Sequence, residues 1–289
     1  MKFGTYFAYW EQEWRGDYIA YCRKVAKLGF DILEISAVGL MEMSEAKIAE
    51  MRQVAKDEGI GLTAGLGFPP DSDLSSADPA VRKRGIELMG KMLPLLEKAG
   101  IDRVGGVIFA SWPYDYNIPI DKPAAWARSV ESMKTASGIA ADNGVTLMCE
   151  VVNRFEHYML NTAAEAVKFV KDVDKPNVKV MLDSFHMNIE EDFLGDALRS
   201  TGDLLGHFHI GECNRKVPGQ GHMPWDDIGQ ALRDIKYDGA VVMEPFVRMG
   251  GTVGREIKVF HDLSDGGDDA KLDADIAASL KFVREKFLR

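Results

Sequence analysis

VKVMLD at 178–183 is a short apolar run that ends on a carboxylate, and the same construction recurs at TLMCE (146–150), LLGHFH (204–209) and AVVME (240–244). Glu150, Asp183, His209 and Glu244 close the four runs. Such runs, separated by longer amphipathic stretches, read as strands of a parallel sheet. If the four are neighbours, their C-terminal ends bring three carboxylates and an imidazole to one point. Carboxylates so placed raise one another's pKa, and a divalent cation relieves the repulsion. The pattern therefore predicts a metal site.

Working outward, further strands are expected at Phe3 to Tyr9, Ile32 to Ile35, Leu62 to Gly65 and Val104 to Ile108, with the fifth to eighth at Thr146 to Glu150, Val178 to Asp183, Leu205 to Ile210 and Ala240 to Glu244. Helical periodicity covers Asp17 to Leu28, Ser44 to Glu58, Pro79 to Ala99, Lys122 to Asn143, Thr162 to Val173, Glu190 to Thr201, Trp225 to Ile235 and Asp273 to Phe287. Eight strands, each followed by a helix, predict an α/β fold of the (β/α)8 TIM-barrel kind. Glycines in LGF (28–30), EGI (58–60), AGI (99–101), NGV (143–145), TGD (201–203) and DGA (238–240) mark tight returns where a left-handed residue is needed. The segments after strands three, four, seven and eight are long instead: GFPPDSDLSS, FASWPYDYNIP, GECNRKVPGQGHMPW and PFVRMGGTVGREIKVFHDLSDGGDD. Long loops at one end place the working face at the C-terminal ends of the strands. No linker or second core is visible, so residues 1–289 are read as one catalytic domain. A doubly wound open sheet would carry a glycine fingerprint after its first strand, and FGTYFAYW has none.

Among the 289 residues, 46% are apolar, ample for a full core, and the formal net charge is -10. Nucleic-acid affinity rests on Lys/Arg contacts with phosphates, so an acidic chain is not expected to bind nucleic acid. Cys22, Cys149 and Cys213 show no paired or CxxC spacing, which predicts free thiols and no zinc-cysteine site. No apolar run approaches the ~18 residues of a membrane span, and the N-terminus has no signal-peptide pattern. A cytoplasmic, membrane-free protein acting on a small neutral molecule is the expectation.

The four strand-end residues offer oxygen and nitrogen without thiolate, a donor set suited to Mn²⁺, Co²⁺ or Mg²⁺. The competing reading is that each acid only caps a helix or pairs with an arginine. Period-two alternation puts Met148, Met181, His207 and Val242 one layer deeper on the same face, so His207 is expected in the core or behind a ligand. Glu156, His186 and Arg215 sit in the loops that leave ligand-bearing strands, placed to hydrogen-bond a polyol; Glu156 and Arg215 could instead brace those loops as an ion pair. Tyr6, Trp10, Trp14, Trp112, Tyr114 and Phe246 are candidate walls, since flat aromatic faces pack against the C–H face of a sugar.

Beyond these patterns, YFAYW (6–10), ISA (35–37), LTAG (62–65), SWPYDY (111–116), NRFE (153–156), LNTAAEAV (160–167), VKVMLDSFHMNIEED (178–192), GHFHIGECNRKVPG (206–219), ALRDIKYDGAVVMEPF (231–246) and GGTVGREIKV (250–259) resemble the ketose 3-epimerase family, the D-psicose (D-allulose) and D-tagatose 3-epimerases. The resemblance runs from the first strand to the last barrel helix. It implies a TIM-barrel sugar epimerase using Mn²⁺ or Co²⁺, forming a homodimer or homotetramer, that interconverts ketohexoses such as D-fructose and D-psicose. By matching motif, it implies Glu150, Asp183, His209 and Glu244 as metal ligands, with Glu150 and Glu244 also the catalytic acid and base. Glu156, His186 and Arg215 would contact the reacting end of the sugar, and Tyr6, Trp14, Trp112 and Phe246 the end around C4 to C6. GLGFPP (65–70), VIFA (107–110) and Cys213 depart from the common members, all in or near the walls.

Three rival functions are compatible with a barrel. An aldose–ketose isomerase would exchange a proton between C1 and C2 in place of C3. An endonuclease would need a basic face and more than the six histidines present. A sugar-binding module would bind without turnover.

Overall fold

The computed structural model describes residues 1–289. Its strands are β1 (Lys2–Tyr6), β2 (Ile32–Ser36), β3 (Gly61–Gly65), β4 (Arg103–Gly106), β5 (Thr146–Glu150), β6 (Val178–Asp183), β7 (Leu205–Ile210) and β8 (Ala240–Met243). Each pairs in parallel with the next, and β8 pairs with β1, so the sheet closes into the expected barrel. Parallel strands need cover on both faces. Outside, it comes from the expected helices α1 (Tyr18–Leu28), α3 (Glu45–Asp57), α4 (Pro79–Ala99), α5 (Lys122–Asp142), α6 (Ala163–Val173), α8 (Leu194–Thr201), α9 (Trp225–Asp234) and α11 (Asp269–Phe287). One continuous apolar cluster joins barrel and helices.

Three short helices were not foreseen: α2 (Ala37–Met41), α7 (Ser184–Glu190) and α10 (Gly251–Glu256), all in loops that leave strand ends. One or two turns are too short to show a periodic stripe. Two strands end earlier than their apolar runs. After β1 the chain turns into a 3-10 helix at Phe7–Tyr9, whose three side chains are all buried. β4 stops at Gly106, which has φ 120°, a region that side chains rarely adopt.

Five of the six return glycines take left-handed φ as expected: Gly29, Gly59, Gly100, Gly144 and Gly202. The sixth expectation is corrected. After α9 the amides of Lys236 and Tyr237 bond back to Arg233 and Leu232, so the left-handed residue is Lys236 (φ 53°) and not Gly239.

At the barrel mouth the loop after β1 is tied to the loop after β8. Gln12 Nε2 donates to the Met249 carbonyl at 2.6 Å, the Val253 amide donates to the Gln12 carbonyl at 3.0 Å, and Thr252 Oγ1 donates to Glu13 Oε2 at 2.6 Å. Gly251, at φ 63°, lies so close to Gln12 that a Cβ would fall on its carbonyl.

Gly106 combines positive φ with contact against the Leu66 carbonyl, where a Cβ has no room. Gly106→Ala is expected to destabilise the protein by roughly 2–4 kcal/mol, the sum of a forbidden backbone region and overpacking. Urea unfolding checks this: a midpoint unchanged from the parent protein contradicts it.

Candidate active site

Strand alternation turns Glu150, Asp183 and His209 inward at the C-terminal ends of β5, β6 and β7, and Glu244 follows β8. Their donor atoms all lie within 4.8 Å of one another. His209 Nδ1 stands 3.4 Å from Glu244 Oε1 and 3.9 Å from Glu150 Oε1. Asp183 is the deepest, its side chain 1% exposed, whereas those of Glu150 and Glu244 keep 12% and 15%. Asp183 Oδ1 also accepts from the Phe185 amide at 2.8 Å and so caps α7. The cap reading and the cluster reading thus both hold for this residue, one for each oxygen.

Does the cluster fit a cation? His209 Nδ1 is buried without a hydrogen-bond partner. Buried polar atoms are rarely left so, and a lone-pair nitrogen facing three carboxylates has the chemistry of a ligand. Burial, and then the Glu244 charge, push the Glu150 carboxyl well above the ordinary carboxylate range. His209 goes well above the usual imidazole value: burial opposes this, but Glu244 and Glu34 outweigh it. Without a cation, protons fill part of that role. Three oxygens and one nitrogen fit a hard or borderline divalent ion, so the cluster can hold a metal.

Glu34 was not anticipated. It lies in ILEIS (32–36), inside β2, buried to 2% exposure. Its Oε1 lies 2.5 Å from His209 Nε2, and its Oε2 accepts from Thr63 Oγ1 at 2.7 Å. His207 Nε2 is 2.9 Å from the same Oε2, without the alignment of a hydrogen bond. Burial disfavours the Glu34 charge, yet His209 and His207 hold its carboxyl well below the ordinary range. His207 therefore sits one layer down, behind His209, as alternation predicts. A lone carboxylate in an apolar strand was the available signal.

Arg215 crosses the cluster. Its NH1 is 3.4 Å from Asp183 and from Glu244, and its NH2 is 3.4 Å from Glu156. The guanidinium lies 3.6 Å over the Phe185 ring, a partner not anticipated. Its backbone sits at φ 64°, in a turn closed by the Arg215 amide on the Glu212 carbonyl. Buried Glu212, also missed, holds that loop by accepting from Gly219, Met223 and Trp225. Glu156 receives the Trp112 indole N–H at 3.0 Å. Burial opposes ionisation of Glu156, but His186 whenever it is protonated, and Arg215, hold its carboxyl below the usual value. His186 Nδ1 accepts from the Asn153 amide at 3.1 Å, so its proton rests on Nε2, 3.7 Å from Asp183 Oδ2. Burial lowers the His186 pKa and keeps the ring neutral. The foreseen Glu156–Arg215 pair exists, but as part of this network.

Glu150, Glu156, His186, His209, Arg215 and Glu244 border a cavity of about 440 Å³, within the usual range for small-molecule sites. Asp183, Trp10 and Tyr114, among the candidates, do not line it. Tyr6, Trp14, Trp112 and Phe246 form its apolar wall, with edge contacts at 6.0–6.2 Å linking Trp14 to Trp112 and Phe246. Trp14 donates to Glu256 Oε2 at 2.6 Å. Two expected wall residues are elsewhere. Trp10 stacks on Tyr21 and donates to Asp273, and Tyr114 packs on Tyr116, His157 and Tyr158. Of the departing stretches, Gly65, Leu66, Gly67, Pro69, Pro70 and Val107 do line the cavity. Cys213 instead pairs with His222, 3.2 Å away.

The model of the xylose isomerase-like TIM barrel family matches residues 22–284. The chain is 55% identical over 284 residues to a D-psicose 3-epimerase of Agrobacterium fabrum, covering 98% of each, and 54% identical to one of Ruminiclostridium cellulolyticum, covering 98% and 97%. A crystal structure of a D-psicose 3-epimerase in the presence of D-fructose superposes with a TM-score of 0.98 at 54% identity, over 99% of each chain. With the closed barrel, the clustered acids and this likeness along its whole length, the chain belongs to the ketose 3-epimerases, isomerases of the xylose isomerase-like TIM barrel family.

Proposed function

We propose that this single barrel domain is a divalent-metal-dependent epimerase that interconverts D-fructose with D-psicose, and D-tagatose with D-sorbose, by moving the C3 proton through a cis-enediolate. One observation carries the reading. Glu150 and Glu244, from β5 and β8, are the two carboxylates of the cluster that open into the cavity, while Asp183 stays beneath them. Inversion at C3 needs one group to take the proton and another to return it from the opposite face. Two carboxyls on different strands, both bordering one cavity, suit that division. Supporting substrates come from relatives: structures of D-psicose 3-epimerases were determined with D-fructose and with D-tagatose.

Glu150, Asp183, His209 and Glu244 are the proposed metal ligands, for Mn²⁺ or Co²⁺, with Mg²⁺ also compatible with the donors. When bound there, the cation supplies charge stabilisation for the enediolate oxygens at C2 and C3. Neutral His186, with its proton on Nε2, and the cationic Arg215 are placed to donate to hydroxyls at the reacting end of the sugar, and Glu156 to accept. Tyr6, Trp14, Trp112 and Phe246 give the far end of the sugar apolar faces. Burial, then Glu244, raises the Tyr6 pKa well above 10, which leaves the phenol a donor.

No helix is long and apolar enough to cross a membrane, and all three cysteines are free. We read the enzyme as cytoplasmic. Exposed Phe155, Phe193 and Phe260 support self-association as a homodimer or homotetramer.

Glu150→Gln and Glu244→Gln are each expected to lower kcat by at least about 10³-fold with the fold intact, the scale of a lost general acid or base. Chiral sugar analysis after incubation with D-fructose reads the outcome, and parent-like turnover in either variant defeats the assignment. In D₂O, a single deuteron at C3 marks epimerisation, whereas label at C1 would mark aldose–ketose isomerisation.

Removing the metal gives a pH signature. In the metal-free site Glu150 and His209 both bind protons more tightly than in the unfolded chain. Their stabilisation is present at low pH and is lost as pH rises through the folded-state values. His157, His186 and His207 are shifted down, so they act in the opposite sense, but only below about pH 6.5. Chelator-treated protein is therefore expected to lose thermal stability as pH rises above about 6.5, the ordinary imidazole value. Saturating Mn²⁺, which binds only deprotonated donors, should raise the melting temperature more at the alkaline end. A chelated protein that gains stability over that window would contradict this account.

A further inference from the structure

Strands β5 to β7 and the residue after β8 carry the candidate metal donors. β2 and β3 carry none, yet they reach the cluster through one buried side chain. Glu34 divides its carboxylate: Oε1 meets His209 Nε2 at 2.5 Å, and Oε2 accepts from Thr63 Oγ1 at 2.7 Å. Thr63 is the register partner of Glu34 in the β2–β3 ladder, so backbone pairing fixes the distance between them. An ionised carboxylate only accepts hydrogen bonds, so the proton in the Glu34–His209 contact belongs to the imidazole. That proton occupies Nε2 and leaves Nδ1, which points at Glu150 and Glu244 and has no hydrogen-bond partner, as the nitrogen whose lone pair a cation can take.

The opposite tautomer would fail twice. It would set an Nε2 lone pair against an anionic oxygen and aim an N–H at the place where a cation must sit. His207 cannot substitute for His209, because it lies one alternation deeper and faces Oε2 of the same Glu34.

We propose that Glu34 is the positioning residue of the metal centre, holding His209 in the tautomer and ring orientation that present Nδ1 to a divalent cation, with Thr63 fixing Glu34 in turn. The inference rests on the metal reading of the cluster. Metal-ligating histidines commonly give their second N–H to a carboxylate, and loss of that partner weakens metal binding about 10–100-fold.

The test is isothermal titration of Mn²⁺ into chelator-treated, dialysed full-length protein. Glu34→Gln keeps the shape but removes the charge and offers an amide that can donate to the ring, so its Kd for Mn²⁺ is expected to rise about 10–100-fold. Thr63→Val, which removes only the brace, should weaken binding about tenfold, the lower end of the same range. Circular dichroism and the melting temperature of the chelated variants are measured alongside. A purely structural Glu34 would lower that melting temperature and leave the Kd alone. A folded E34Q protein that binds Mn²⁺ within twofold of the parent overturns the proposal. If E34Q does not fold, a T63V Kd within twofold of the parent does the same. A parent protein that binds no Mn²⁺ overturns the metal reading as well, whereas parent and variant binding alike overturns only the role of Glu34.

Discussion

Three carboxylates crowd around one imidazole nitrogen at the barrel mouth, and their mutual repulsion is the constraint to which the neighbouring structure answers. Burial alone would drive protons onto the acids. Arg215 opposes that from above, within 3.4 Å of Asp183, Glu244 and Glu156, and Glu34 opposes it from below by holding the far nitrogen of His209. Each compensating group needs its own support. Arg215 occupies a left-handed backbone position in a turn anchored by buried Glu212, and Glu34 leans on Thr63. An acidic cluster of this kind is costly for stability, so its presence at the edge of a cavity points to chemistry.

Much of this was legible in the amino-acid sequence, because parallel strands are apolar throughout and a charged residue at a strand end stands out. Glu150, Asp183, His209 and Glu244 showed themselves that way, and the barrel followed from counting such runs. Glu34 did not, since one acid in the middle of ILEIS has no partner in sequence; Thr63, His207 and His209 meet it only after the sheet has closed. The aromatics were the harder case. Trp10 and Trp14 are four positions apart in one loop, yet Trp10 stacks outward on Tyr21 whereas Trp14 faces the cavity. That choice is made by Asp273 and Glu256, which receive the two indole N–H groups and come from the other end of the chain. Glycine spacing located five of six returns. It missed Lys236 because hydrogen bonding to the last turn of α9 decided where the left-handed residue falls.

The polar and apolar halves of the cavity differ in how firmly they are held. The cluster is set by strand ends: Asp183 and His209 face each other in the β6–β7 register, above an irregularity at Val180/Met181, and a shift of one residue there would reverse the side chains. The wall is set mostly by loops, Leu66, Gly67, Pro69, Pro70 and Val107 among them. The acidic cluster is thus anchored in the barrel itself, and the apolar wall mostly in the loops above it.

The tie between the loops after β1 and β8 also bears on how the molecule assembles. Its hydrogen bonds join residues 237 to 242 positions apart, close to the full length of the chain. Contacts so distant in sequence close late, because the loop entropy must be overcome before they can form. During synthesis the N-terminal strand, with Tyr6 and Trp14 beside it, waits for β8 to emerge. Pairing of β1 with β8 closes the barrel, and Glu256, from α10 beyond β8, meets Trp14 in the finished fold. A chain stopped short of β8 would lack Glu244 and Phe246 at the cavity, and Trp14 would lack its partner Glu256.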